Sequence, residues 1–88
     1  MASPTIEIYT WGWCPYCKAA KSLLEKKGQS YTEYDATEHD TMVEMRKRAD
    51  GGTSVPQIFI DDQHIGGFDD MAALNDSGEL DKLLSPAG

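Results

Sequence analysis

Cys14 and Cys17 are the two cysteines of an 88-residue chain, and only Pro15 and Tyr16 separate them. Two thiols at this spacing face each other when the residues after the first turn into a helix. Pro15 suits the first helical position, where its missing N–H would be unpaired in any case. Cys14 then becomes the N-cap, with its sulfur over the free amides of Tyr16 and Cys17 at the positive end of the helix. Cys17 falls one turn in, on the same side, within reach of a disulfide formed at Cys14. The chemistry this arrangement suits is thiol–disulfide exchange, in which a thiolate attacks a disulfide sulfur.

Lowering a thiol pKa by about two units from its ordinary value near 8.5 takes about 2.7 kcal/mol. A helix terminus typically supplies about 0.3–1 kcal/mol, and about 2 at best. Direct N–H hydrogen bonds and nearby cations must supply the rest, and Lys18 and Lys21 are the nearest candidates. Two blander readings of the pair rank lower. A structural disulfide closing so short a loop removes little chain entropy. A zinc site needs further ligands, and only His39 and His64 remain to provide them. No metal is expected.

The length fits one small domain, residues 1–88, with 85–88 a loose tail. A formal net charge of −7 argues against nucleic acid and anionic membrane surfaces, which attract basic patches. The first residues lack the basic and apolar segments of a signal peptide, and no run is long enough to span a bilayer. The expected location is the cytoplasm, where a cysteine pair is more often catalytic than structural.

The elements that must position the pair can be read in order. Residues 5–9 alternate, with Ile6 and Ile8 on one face, and predict a strand. Trp11 and Trp13 flank the loop that delivers Cys14. They suit an apolar collar for partners, with core packing an even alternative for Trp11. From Pro15 a helix places Cys17, Ala20, Leu23 and Leu24 on one side, pairs Lys21 with Glu25 on the other, and stops at Gly28. Residues 31–35 predict a strand parallel to the first, joined by a right-handed crossover.

Thr37 is the expected cap of a second helix, with Asp40 completing a partial capping box and Met42, Met45 and Ala49 facing inward. His39 is expected to be exposed. Arg46-Lys47-Arg48 is the one basic cluster, a solvated face at a helix C-terminus or a secondary anion site. Residues 58–60 read as a central strand, which puts Pro56 at its entry, with a cis bond an option there. The backbone of Val55, just before it, is then open to a peptide-like ligand. Asp61-Asp62 turns into a return strand over 63–65, with His64 outward. Gly66-Gly67 permits close approach, and Phe68-Asp69-Asp70 opens a third helix whose amides could hold an anion. Residues 75–78 break that helix, and Leu80, Leu83 and Leu84 pack a last one.

This order of elements is that of the thioredoxin fold, an α/β architecture. A four-stranded mixed sheet, two parallel strands plus an antiparallel hairpin, is flanked by helices. Cys14-Pro15-Tyr16-Cys17, Ser54-Val55-Pro56 and Gly66-Gly67-Phe68-Asp69-Asp70 together resemble the dithiol glutaredoxins over nearly the whole chain. The resemblance implies a glutathione-dependent oxidoreductase acting on protein disulfides and protein–glutathione mixed disulfides. It implies Cys14 as nucleophile and Cys17 as the resolving thiol. It implies glutathione as co-substrate, lying along Val55 and a cis Pro56 with its γ-glutamyl end at Gly67, Asp69 and Asp70, and Tyr16 lining the groove. No tightly bound cofactor is implied. The implied partners are glutathione, disulfide-containing or glutathionylated proteins and, through glutathione, glutathione reductase. A monomer is expected.

The chain departs from the pattern where the family holds the glycine carboxylate of glutathione. Trp11 stands in place of a common Lys, and neither Met42-Val43 nor Gly52-Thr53 offers a charge. Arg46 is the candidate replacement; otherwise weaker glutathione affinity and a less stabilised Cys14 thiolate are expected. Phe68 replaces a further cysteine found in relatives. The lost anchors keep open a small redoxin reduced by thioredoxin reductase. An iron–sulfur cluster carrier, bridged through Cys14 and glutathione, ranks lower because Pro15 stiffens the loop.

Overall fold

The computed structural model describes residues 4–84; the tail 85–88, expected to be loose, lies outside the described residues. The elements are β1 (Ile6–Thr10), α1 (Pro15–Lys26), β2 (Thr32–Asp35), α2 (His39–Arg48), β3 (Gln57–Ile60), β4 (Gln63–Gly66), α3 (Phe68–Ser77) and α4 (Glu79–Leu84). The sheet order is β2-β1-β3-β4. β1 runs parallel to β2 and antiparallel to β3, and β3 and β4 form the antiparallel hairpin. This is the expected mixed sheet of the thioredoxin fold.

Alternation along β1 and β3 divides the core in two. Ile6, Ile8, Ile58 and Ile60 meet Ala20 and Leu24 of α1, Met71 of α3 and Leu80 and Leu84 of α4. On the opposite face Tyr9 and Phe59 meet Met45 and Ala49 at the inner stripe of α2. Each large apolar side chain fully buried in this way contributes about 1.5–3 kcal/mol. β1 and β3 thus lie between two helical layers as the central strands, and the end of β1 and the entry to β3 come out at the same end of the sheet.

The second face carries an ion pair that the basic cluster did not announce. Arg48 reaches Glu7 through two bonds of 2.8 and 3.1 Å, touches the Tyr9 hydroxyl at 3.0 Å and lies 4.1 Å from the centre of the Phe59 ring. Tyr34 donates to the same Glu7 carboxylate at 2.9 Å. Arg48 holds the Glu7 carboxyl below the usual carboxylate range.

Three local expectations need correction. Thr37 does not cap α2. Its amide and hydroxyl both donate to Asp35 Oδ1, at 2.9 and 2.6 Å, in a turn before the helix. The N-cap is Glu38, with no side-chain cap bond. Lys21 does not pair with Glu25; it crosses to Glu33 of β2 at 3.0 Å, while Glu25 accepts from the Tyr31 hydroxyl at 2.7 Å. α3 is not broken at Asn75. It runs to Ser77 and ends on Gly78, whose φ of 86° is the left-handed stop.

Candidate active site

Cys14 sits at the end of the loop leaving β1, in extended backbone (φ −160°, ψ 111°), as the N-cap of α1. Pro15 follows at the first helical position. The Cys17 amide donates to the Cys14 sulfur at 3.2 Å, and the Lys18 amide makes the first helical bond to the Cys14 carbonyl at 3.1 Å. The sulfur therefore replaces the oxygen of an ordinary N-cap side chain. Cys14 is half-buried and Cys17 is 2% exposed.

The two thiols sit in opposed environments. Burial pushes the Cys17 thiol up to about 12, and a hydrogen bond with the Cys14 sulfur and that sulfur's charge add to the push. The Trp11 amide, which donates to the Cys17 sulfur, and the charge of Lys21 work the other way. Cys17 is thus a thiol at neutral pH, and Cys14 is the sulfur that meets solvent.

A groove of about 340 Å³ opens at Tyr16, the residue before Cys17, at the small end of the range of about 300–1,000 Å³ for ligand clefts; neither cysteine is among its lining residues. Tyr16 lines it near the cysteines, Val55 and Pro56 form one wall, and Gly66, Gly67, Asp69 and Asp70 line the other. The Val55–Pro56 bond is cis. The sheet ladder starts at Gln57, so the backbone of Val55 lies before it. Gly66 has a φ of 114°, and a Cβ there would collide with the Asp70 carboxylate. A Cβ on Gly67 would come 3.5 Å from the Pro56 carbonyl oxygen, a measure of how near the two walls stand.

The start of α3 is organised by Asp70. Its Oδ2 accepts from the Gly67 amide at 3.0 Å, while the Met71 amide makes the first helical bond to the Gly67 carbonyl. The amides of Phe68, Asp69 and Asp70 precede that bond and point out of the helix end. Asp69 is exposed next to them. An anion meets backbone donors here, and an ammonium meets carboxylates.

Not every expected residue joins this groove. Arg46 is exposed on α2 and does not line it, so it is not placed as the missing anchor. Trp13 is 81% exposed, next to Cys14 in sequence but also outside the groove lining. Trp11 is 41% exposed and not part of the core. No Lys or Arg appears among the residues lining the groove.

Four lining residues had been given no binding role beforehand: Ser54, Gln57, His64 and Phe68. Gln57 is a buried polar residue whose Nε2 donates to the Ser54 carbonyl at 3.0 Å. Its Oε1 lies 2.7 Å from His64 Nε2, which therefore carries the proton in this orientation of the amide. His64 points outward as expected, but it also stacks on Phe59, with ring centres 5.0 Å apart. The polar Gln57 in an otherwise apolar strand was the available signal. Phe68 packs near Tyr16, with centroids 6.5 Å apart.

Comparison with known proteins gives this geometry a lineage. The glutaredoxin family model matches residues 6–65. A probable glutaredoxin of Synechocystis sp. is 52% identical over 83 residues, 93% of this chain and 94% of that protein. Glutaredoxin 3 of Escherichia coli K12 is 51% identical over 79 residues, 90% of this chain and 95% of that one. Among solved structures, the glutaredoxin of Brucella melitensis superposes with a TM-score of 0.83 at 44% identity, covering 98% of this chain and 94% of its own. A buckwheat glutaredoxin–glutathione complex superposes with a TM-score of 0.85 at 25% identity, covering 94% of this chain and 78% of that one. With its two cysteines adjacent at a helix start on a thioredoxin fold, the chain belongs to the glutaredoxin family of thiol–disulfide oxidoreductases.

Proposed function

We propose that the protein uses glutathione to reduce protein–glutathione mixed disulfides and protein disulfides, with Cys14 as nucleophile and Cys17 as resolving thiol. The observation that carries this reading is the groove. It runs from the α1 start, past the open backbone of Val55, to the amides and acids at the start of α3. Glutathione has a matching sequence of groups: a sulfur, a peptide backbone and a γ-glutamyl end with both charges. The solved buckwheat relative in complex with glutathione supports the same reading.

The Cys14 thiolate attacks the glutathione sulfur of a mixed disulfide and releases the protein thiol, leaving glutathione on Cys14. A second glutathione thiolate attacks that bond, forms glutathione disulfide and returns the Cys14 thiolate. On a protein disulfide, Cys14 forms the mixed disulfide and Cys17 attacks Cys14, releasing the reduced substrate. Two glutathione molecules then reduce the internal disulfide. Glutathione is a co-substrate and not a resident cofactor. Val55 and Pro56 position its cysteine part, Tyr16 packs beside the sulfur, and Gly67, Asp69 and Asp70 hold the γ-glutamyl end. A monomer in a reducing compartment such as the cytoplasm suffices for this cycle.

The test is reduction of a glutathione mixed disulfide coupled to glutathione reductase and NADPH, with thioredoxin reductase in a parallel reaction. Activity with glutathione that survives Cys17→Ser and is lost with Cys14→Ser is the expected result. Activity with thioredoxin reductase alone would contradict glutathione dependence. Inactivity in both, with a coloured dimeric form on anaerobic purification, would favour a cluster carrier.

A further inference from the structure

The resolving role proposed above asks of Cys17 something that its surroundings oppose. It must lose its proton and attack Cys14, yet it is 2% exposed and its thiol is pushed far up. The causes of that push change during the reaction. Two of them, the hydrogen bond with the Cys14 sulfur and that sulfur's charge, require Cys14 to be a free sulfur. Once Cys14 is held in a mixed disulfide, both are gone. Burial still opposes the thiolate, and the Trp11 amide and the charge of Lys21 still favour it.

Lys21 lies one turn beyond Cys17, on the same side of α1. Its ammonium bonds Glu33 Oε2 at 3.0 Å, and the same oxygen accepts from Thr10 Oγ1 at 2.6 Å. Thr10 is the buried last residue of β1, directly before Trp11, whose amide donates to the Cys17 sulfur. Glu33 thus ties Lys21, on the side of α1 that carries Cys17, to Thr10 at the end of β1, where the chain enters the loop leading to Cys14.

We infer that Lys21, held in place by Glu33 and Thr10, supports the Cys17 thiolate in the resolving step, and that the Lys21–Glu33 pair sets the rate of that step. This rests on Cys17 being the resolving thiol. The Cys17 thiol gives its proton to solvent, and its sulfur attacks Cys14 of the mixed disulfide. The Cys14–Cys17 bond forms, the bond to the substrate sulfur breaks, and the departing thiolate takes up a proton from solvent. No outside oxidant or reductant enters.

The groups that face Cys17 are Cys14 and Lys21 from α1 and the Trp11 amide from the loop. Glu33 acts from β2 through Lys21, with Asp35 beside it. Glu33 has two effects of opposite sign. Its oxygen holds the ammonium, and its charge offsets it. A glutamine at position 33 keeps an acceptor oxygen and removes the offset. Lys21 and Glu33 substitutions should therefore act in opposite directions, which no loss of packing would produce.

The resolving step can be read without glutathione. Reduced protein mixed with the aromatic disulfide dithiobis-nitrobenzoate releases one coloured thiolate when Cys14 attacks and a second when Cys17 resolves. In Lys21→Met the second phase slows against the first by about three- to tenfold, and its pH midpoint rises. Lys21→Arg restores the rate. In Glu33→Gln the second phase accelerates and its midpoint falls. Changes in the same direction for Lys21→Met and Glu33→Gln, or no change in either, overturn the inference while leaving the functional reading intact. A wild-type protein with no second phase overturns the resolving role of Cys17 and the inference with it.

Discussion

The Cys17 amide donates to the Cys14 sulfur at 3.2 Å, so the first cysteine is at once the cap of α1 and the solvent-facing thiol of the pair. These two duties separate on substitution. Cys14→Ser keeps an oxygen that caps at least as well as sulfur. It should fold with wild-type stability and have no disulfide-reducing activity. Cys14→Val should be equally inactive and also lose about 0.5–2 kcal/mol, the usual value of an N-cap. Thermal unfolding of the two variants side by side checks this. Equal stabilities would mean that the sulfur does not cap the helix.

Gly66 is fixed by both its backbone and its neighbour. Its φ of 114° disfavours any side chain, and a Cβ would strike the Asp70 carboxylate. Gly66→Ala should destabilise by about 1–3 kcal/mol, lowering the melting temperature by about 4–8 °C per kcal/mol. Because Asp70 would have to leave the Gly67 amide, the Michaelis constant for the glutathione mixed disulfide should rise as well. A variant with an unchanged melting temperature would show that the α3 start tolerates the shift.

Glu7 and Glu33 link stability to pH. Arg48 lowers the carboxyl of Glu7, and the Thr10 hydroxyl, followed by Lys21, lowers that of Glu33. Each folded-state value thus lies below the unfolded one, near 4.3 for a free glutamate. Their stabilisation is present in full above that value and is lost as pH falls through the lowered folded-state values. Melting temperature should stay level from neutral pH to about 5 and drop below about 4. Arg48→Met should cost about 1–3 kcal/mol at neutral pH, since it leaves Glu7 largely buried and without its cation. It should also flatten the acid decline. A decline as steep in Arg48→Met as in the wild type would place the acid sensitivity elsewhere.

Arg46 stands on the exposed side of α2, outside the groove. Arg46→Ala should therefore change the Michaelis constant for a glutathione mixed disulfide by less than about twofold, a surface-charge effect. A rise of tenfold or more would restore Arg46 as the carboxylate anchor.

Much of this site was legible because its signals are local. Ile6 and Ile8 alternate, Pro15 marks a helix start next to Cys14, and the Gly66-Gly67 pair marks a backbone that must come close to something. Gly28 and Gly78 stop their helices with positive φ. What escaped was set by partners distant in sequence. Lys21 has a suitable acid four residues along its own helix. The sheet, however, brings Glu33 next to the Thr10 hydroxyl, and two donors on one oxygen hold that acid better than an exposed i,i+4 contact. Thr37 looked like a cap until Asp35 took both its amide and its hydroxyl. Arg48 was hidden in a run of three basic residues, although its spacing from Met45 puts it at the edge of the inner stripe. Gln57 and His64 meet only because the hairpin pairs β3 with β4, with a register shift between Ile58 and Phe59.

Glutathione bound to Cys14 is expected to lie along Val55 and to end at the start of α3. The most direct measurement uses Cys17→Ser, loaded with one glutathione on Cys14 and compared with its reduced form by amide NMR. Large shifts are expected at Val55 and at Gly67 through Asp69, with contacts from the γ-glutamyl protons to the α3 start. Shifts confined to the loop before Cys14 and the first turn of α1, with Val55 and Gly67 unmoved, would contradict it.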